Sequence, residues 1–246
     1  MQAMSPERSG SSAPTARPRG RRRASHSLDT VLGEAIAILD ESGEPALTFR
    51  ALAARLGGGV ASIYWYVKSR DELLEQATEE VMSRVLADSE PLTHGPDPLA
   101  NVRALALALF TECVRRPWLG QFMLRNRGLQ ANSMTMFERI GQQLMRLELT
   151  PRQGFHAASS IVSYVVGAAV DLAQPPPREF LESGMGPSEF LAMYADRWRA
   201  LDPDRYPFAR QVADEMATHD DEDVFRSGLD LLLSGVRQLA TKDPNP

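Results

Sequence analysis

Residues Leu47–Leu74 read LTFRALAARLGGGVASIYWYVKSRDELL, and the parsing of this stretch decides the fold. Thr48 is placed to cap a short helix whose inward residues are Leu52, Ala53 and Leu56. At Gly57 the chain must turn, and glycine accommodates a positive φ without a Cβ penalty. A third helix of about two turns follows, from Val60 or Ala61 to Val67, burying Ile63 and Val67. Three adjacent aromatics, Tyr64, Trp65 and Tyr66, cannot all face a core on so short a helix. At least two are expected in solvent beside Lys68 and Arg70, an arrangement that implies a partner.

Upstream, Leu28, Val31, Leu32, Ala35, Ile36 and Leu39 recur at helical spacing, with Ser27 as N-cap and Gly43 as stop. A helix laid across two short helices joined by a glycine turn is a helix-turn-helix, whose third helix enters the DNA major groove. The outward residues of that helix would be Ala61, Ser62, Tyr64, Trp65 and Tyr66.

Charge is distributed to match. Residues 1–27 contain Arg8, Arg17, Arg19, Arg21, Arg22 and Arg23 against Glu7, a net of +5, although the whole chain is −5. The segment has no leucine, isoleucine or valine to bury, and is expected to be a disordered arm suited to phosphates or a minor groove. The single cysteine, Cys113, excludes an internal disulfide framework and suits a reducing compartment. With no uninterrupted apolar run of about 18 residues and no apolar stretch behind the N-terminal arginines, neither a membrane span nor a secretory signal is expected. The expected location is cytoplasmic.

Beyond Leu74 the pattern is helical throughout, with segments at 71–86, 99–114, 130–147, 152–172, 188–200, 207–216 and 222–239. Pro117 is read as a stop, and 174–187, with its proline run and Gly184-Met185-Gly186, as a poorly structured loop able to gate a cavity. No period-2 pattern occurs. The fold class is all-α: a three-helix helix-turn-helix domain over 28–74 and a larger helical bundle over 75–246, preceded by the arm at 1–27.

The runs Leu47-Thr48-Phe49-Arg50, Ile63-Tyr64-Trp65-Tyr66-Val67-Lys68 and Asp71-Glu72-Leu73-Leu74 resemble the DNA-binding domain of the TetR family, most of all its tetracycline-repressor branch. The resemblance implies that Arg50 reads a guanine edge and that Ala61 lies against a thymine methyl, with Ser62 and Tyr64 near base edges. It further implies phosphate or sugar contacts for Thr48, Trp65, Tyr66, Lys68 and Arg70. Arg and apolar side chains suit those base edges chemically. The family usually has valine after the turn glycine; this chain has Gly58 and Gly59. The expectation is a gap in the small core, so that Gly58→Val would gain stability.

The resemblance also implies a palindromic operator, a homodimer and a bound effector. Two recognition helices span half-sites about one DNA turn apart, roughly 34–36 Å. Two apolar helical faces are assigned to the dimer: Ala158, Ile161, Val165, Ala169 and Leu172 on one, Phe225, Leu229, Leu232 and Val236 on the other. Large adaptable side chains suggest a cavity for a small apolar or aromatic molecule. Those assigned are Phe110, Trp118, Phe122, Met123 and Met134, together with Phe137, Met145, Phe155 and Tyr164. Asp171, on an otherwise apolar helix, either stands in water at the bundle end or contacts the ligand.

His26, His94, His156 and His219 are scattered, and no metalloprotease, phosphate-loop, nucleophile-elbow or dinucleotide motif is present. Asp220-Asp221-Glu222-Asp223 reads as a helix-start complement to the dipole. No catalytic residue, cofactor or metal is assigned. The leading expectation is a ligand-responsive transcriptional regulator, in this family most often a repressor. The competing one is a helical small-molecule-binding protein or enzyme with a vestigial helix-turn-helix.

Overall fold

The computed structural model describes residues 26–126 and 130–241; residues 1–25, including the arm's arginines, lie outside the described residues. The described residues are helical, without a strand. Helix α1 (Leu28–Ser42) starts where the Ser27 hydroxyl accepts the Thr30 amide at 3.1 Å, and ends at Gly43, φ 72°, whose N–H returns to the Leu39 carbonyl. After a 3-10 turn at Glu44–Ala46, α2 (Phe49–Arg55) is capped by Thr48, whose hydroxyl accepts the Ala51 amide. Gly57 turns the chain at φ +64°, and α3 (Val60–Ile63) follows. It is one turn rather than two; Tyr64–Tyr66 continue as a turn. Leu47, Leu52, Ile63 and Val67 close the small core under α1.

Helix α4 (Arg70–Ser89) is capped by Ser69 and spans roughly 30 Å. It packs on α1 at one end and on α5 (Pro98–Arg115) and α7 (Ala131–Met145) at the other. Between those two, α6 (Pro117–Arg125) was not expected. Pro117 does end α5, but it then occupies the first turn of a new helix, where a missing N–H costs nothing.

Helix α8 (Pro151–Leu172) packs against α5, α6, α7 and α13 (Asp221–Thr241), and opens with a complete capping box between Thr150 and Gln153. By length and composition alone it would pass for a membrane-crossing helix, although its apolar run is interrupted. Its apolarity has another use here. Ala157, Ala158, Ile161, Val165, Val166 and Ala169 are buried among the four neighbouring helices.

Between α8 and α13 lies a lobe of α9 (Arg178–Ser183), α10 (Pro187–Arg199), α11 (Pro207–Gln211) and α12 (Ala213–Ala217). The expected loop at 174–187 therefore contains a helix, stopped by Gly184 at φ +67°. The lobe buries Phe190, Ala195 and Ala213 by itself, outside the continuous core of the rest.

The expected core gap at Gly58 is absent. Gly58 is exposed, and a Cβ there would meet the Ser62 hydroxyl at 3.3 Å and the His26 imidazole at 3.9 Å. Gly58→Val should bring no gain in urea-denaturation stability. Gly57→Ala, forced into the left-handed region, should lose about 1–2 kcal/mol. On α13, a Cβ at Gly228 would fall 2.0 Å from the Tyr164 hydroxyl. Gly228→Ala should lose about 1–3 kcal/mol, and Tyr164→Leu in the same chain should recover part of it.

Candidate nucleic-acid interface and ligand cavity

The start of α2 and the end of α3 are held together by the Phe49 and Tyr64 rings, edge to face at 4.9 Å. This contact brings Thr48 and Arg50 beside the aromatic turn. Arg50, Ala61, Tyr64, Trp65 and Lys68 are all exposed, Trp65 to 87%. An indole so fully in water adds nothing to the fold, so its cost implies a partner. Ser62 donates its hydroxyl to the Gly59 carbonyl at 2.6 Å, which holds the α3 start in place. Tyr66 is half-buried and donates to the His26 carbonyl.

Nearby acids are largely occupied. Glu34 and Glu41 pair with Arg55, whose hydrogen bond holds the Glu41 carboxyl below its usual range. Glu44 pairs with Arg70 and Arg125. That leaves Arg50 and Lys68 as exposed cations on the α2–α3 surface.

Two of the residues assigned to DNA, Tyr66 and Arg70, are engaged within the chain. The Arg70 guanidinium donates to the carbonyl oxygens of Leu47 at 2.9 Å and Glu44 at 2.6 Å. It fastens α4 to the start of α2 through Nε and Nη2. Thr48 likewise spends one lone pair on its helix cap, with its hydroxyl still exposed.

A cavity of about 480 Å³ lies between α6, α7 and α8. Of the side chains expected there, Met123, Met134, Phe137 and Phe155 line it. Leu124, Val162 and Val166 complete the apolar wall; Asn126, Ser133, Ser159 and Ser163 provide neutral hydrogen-bonding groups. The α8 wall, Phe155, Ser159, Val162, Ser163 and Val166, follows helical spacing. That stripe was legible in the sequence but was masked by the more apolar stripe beside it.

The remaining assigned ligand residues are not in the lining of this cavity. Phe110 stacks on Phe225 at 3.6 Å, and Tyr164 stacks on the other side at 5.5 Å while donating to the Phe225 carbonyl at 3.1 Å. Burial pushes the Tyr164 hydroxyl above its usual range. Trp118 is buried and donates its indole N–H to Asp40 at 2.7 Å. Phe122 is buried in the core, Met145 is 78% exposed at the end of α7, and Asp171 is exposed near the end of α8.

The assigned dimer faces point inward. Ala158, Ile161, Val165, Ala169, Phe225, Leu229 and Val236 are buried within the single chain, and Leu172 and Leu232 are half-buried. Helix α13 carries two stripes, and the more apolar one builds the core. The second, Val224, Gly228, Leu231, Gly235 and Leu239, has Leu231 exposed to 75%.

The cavity and the helix-turn-helix meet through α6. From one end of this helix Trp118, with Arg116 before it, reaches Asp40 on α1; from the other, Arg125 reaches Glu44. Helix α7 is joined to α4 by Glu79, which accepts the Asn132 amide, and by Arg139, which donates to the Leu86 carbonyl. No cluster of three metal-binding side chains occurs among the described residues.

Residues 31–77 match the family described as bacterial regulatory proteins, tetR family, and residues 91–240 match the tetracyclin repressor-like C-terminal domain. The chain is similar to the HTH-type transcriptional repressor DrrR1 of Streptomyces coeruleorubidus, 30% identical over 87% of this chain and 78% of that protein. It is 25% identical to the class D tetracycline repressor of Escherichia coli, over 84% of this chain and 87% of that one. Among solved structures it is similar to a TetR transcriptional regulator from Streptomyces coelicolor, with TM-score 0.72 and 33% identity over 87% and 99% of the two chains. It shares its fold with ActR of the same organism in complex with actinorhodin, with TM-score 0.71 and 22% identity over 88% and 99%.

If Arg70 clamps the fold and Arg50 does not, their alanine variants should separate by stability alone. Arg70→Ala should lose about 2 kcal/mol in chemical denaturation, for two charge-assisted bonds, while Arg50→Ala stays within about 0.5 kcal/mol of the parent.

Proposed function

The chain belongs to the TetR family of bacterial transcriptional regulators, and on that premise we propose a cytoplasmic homodimeric repressor released from a palindromic operator by a small apolar or aromatic effector. The observation that carries this reading is α6. One helix lines the cavity through Met123 and Leu124 and holds the helix-turn-helix through ion pairs from Arg116 and Arg125.

In the DNA-bound state Arg50 pairs with a guanine edge, Ala61 lies against a thymine methyl, and Ser62 and Tyr64 approach base edges. Thr48, Trp65 and Lys68 contact the backbone. The second protomer joins through the outward stripe of α13 around Leu231 and the exposed side of α8, which doubles the site and sets the half-site spacing.

The effector occupies the cavity between α6, α7 and α8, stacking on Phe137 and Phe155 and bonding to Ser159, Ser163 or Asn126. Its occupancy moves α6 and α7 relative to α1 and α4. Repression is then relieved by linkage: an effector that prefers the conformation with misplaced recognition helices weakens operator binding by that same preference, typically about 1–3 kcal/mol.

Gel shifts on sequences selected from a random duplex library test the reading. Arg50→Ala should cost about 1–3 kcal/mol and relax one base position. Lys68→Ala should weaken all sequences alike and flatten the salt slope. A full-length dimer that selects no consensus would refute the regulator. Arg125→Ala should still bind an effector found by thermal shift but respond less to it; undiminished release would remove α6 from the pathway.

A further inference from the structure

Helix α3 does little by itself to hold the residues that follow it. It is a single turn, its N-cap Gly59 offers no side chain, and the chain continues from it as a turn at Tyr64–Tyr66. Ile63 and Val67 are buried in the small core, whereas Tyr64 is 57% exposed. The other two aromatics are set apart from it: Tyr66 is tied to the His26 carbonyl, and Trp65 stands in water. An exposed side chain ordinarily samples several staggered rotamers, and fixing one of them on binding costs entropy.

Phe49 limits that freedom for Tyr64. It is the first residue of α2, half-buried, and packed against the core. Its ring meets the Tyr64 ring edge to face, with centroids 4.9 Å apart and planes at 83°. The positive edge of one ring then lies on the negative face of the other, the favoured arrangement for an aromatic pair. Through Phe49 the rigidity of the core is carried out to a side chain in solvent. Thr48 is fixed separately, by its cap on the Ala51 amide.

We infer that Phe49 is a positioning residue for DNA recognition, holding the Tyr64 phenol in one orientation and so sharpening the base preference at the position Tyr64 reads. The inference rests on the operator-binding reading above, in which Tyr64 approaches a base edge. The device is preorganisation: the bound arrangement of Tyr64 is already present in the free protein, so less entropy is lost when DNA binds. Phe49 exerts this effect through Tyr64 alone; Arg50, its neighbour on α2, reads independently.

The test uses full-length protein, selection from a random duplex library, and anisotropy titrations on the consensus and its single-base variants. Phe49→Leu keeps an apolar side chain on the core and removes the ring; Phe49→Met does the same should Phe49→Leu fail to fold. Either variant should bind the consensus about three- to tenfold more weakly, the worth of one aromatic pair. The loss should fall at one base position of each half-site, the one also relaxed by Tyr64→Leu, and leave the salt slope unchanged. In the Tyr64→Leu background, Phe49→Leu should add less than about twofold, whereas beside Arg50→Ala it should keep its full effect. Phe49→Tyr, which retains a ring, should restore both affinity and preference.

A Phe49→Leu loss spread evenly over all base positions would overturn the inference and make Phe49 a packing residue. So would additive effects of Phe49→Leu and Tyr64→Leu, an unchanged affinity and preference, or a Phe49→Tyr variant as weak as Phe49→Leu. Each of these leaves the operator reading intact. A Tyr64→Leu variant with every base preference intact would overturn the inference by removing Tyr64 from the reading surface. A wild type that selects no consensus would sink the operator reading itself, and the inference with it.

Discussion

From the first turn of α4, Arg70 reaches back to the carbonyl oxygens of Leu47 and Glu44, and the aim of the helix-turn-helix depends on this clamp. Those carbonyls belong to the link between α1 and α2, where that of Glu44 also accepts the Leu47 amide at 3.1 Å. An unsatisfied carbonyl at a half-buried site costs a few kcal/mol, so a guanidinium with a fixed fork is well suited to the place. Glu44 also receives Arg125 from α6, which ties the clamp to the bundle. The helix-turn-helix is therefore braced against the bundle by these contacts.

The bundle is organised around α8 for a complementary reason. A helix that packs against four others needs a broad apolar stripe, and here that stripe gives a composition that imitates a membrane span. Its one less apolar stripe, with Ser159 and Ser163, is the wall of the cavity. Elsewhere the core is sealed by close fits, such as the Tyr164 ring over Gly228 and its stack on Phe225. Burial also pushes the Cys113 thiol up to about 12, leaving it an inert packing group.

Much of this was legible in the sequence. Leu28–Leu39 repeat at helical spacing, Ser27 and Thr48 are the caps they resemble, and Gly57 has the positive φ its position required. The exposed Tyr64 and Trp65 follow from the shortness of their helix. What escaped were choices that local pattern does not contain. Pro117 can stop one helix and start the next. Either of two α13 stripes can face inward, and only the packing of α5 and α8 selects the one with Phe225. Arg70 carries the same charge whether it meets a phosphate or a carbonyl, and Gly58 reads as a core gap until His26 is found above it.

The central claim is that cavity and operator share one conformational equilibrium. It is tested most directly by titrating an aromatic ligand, identified by thermal shift, into the full-length protein with and without saturating operator DNA. Linkage requires operator to weaken the ligand by the same factor as the ligand weakens operator. Equal ligand affinity in the two titrations would contradict the account, because a molecule indifferent to bound DNA cannot release it.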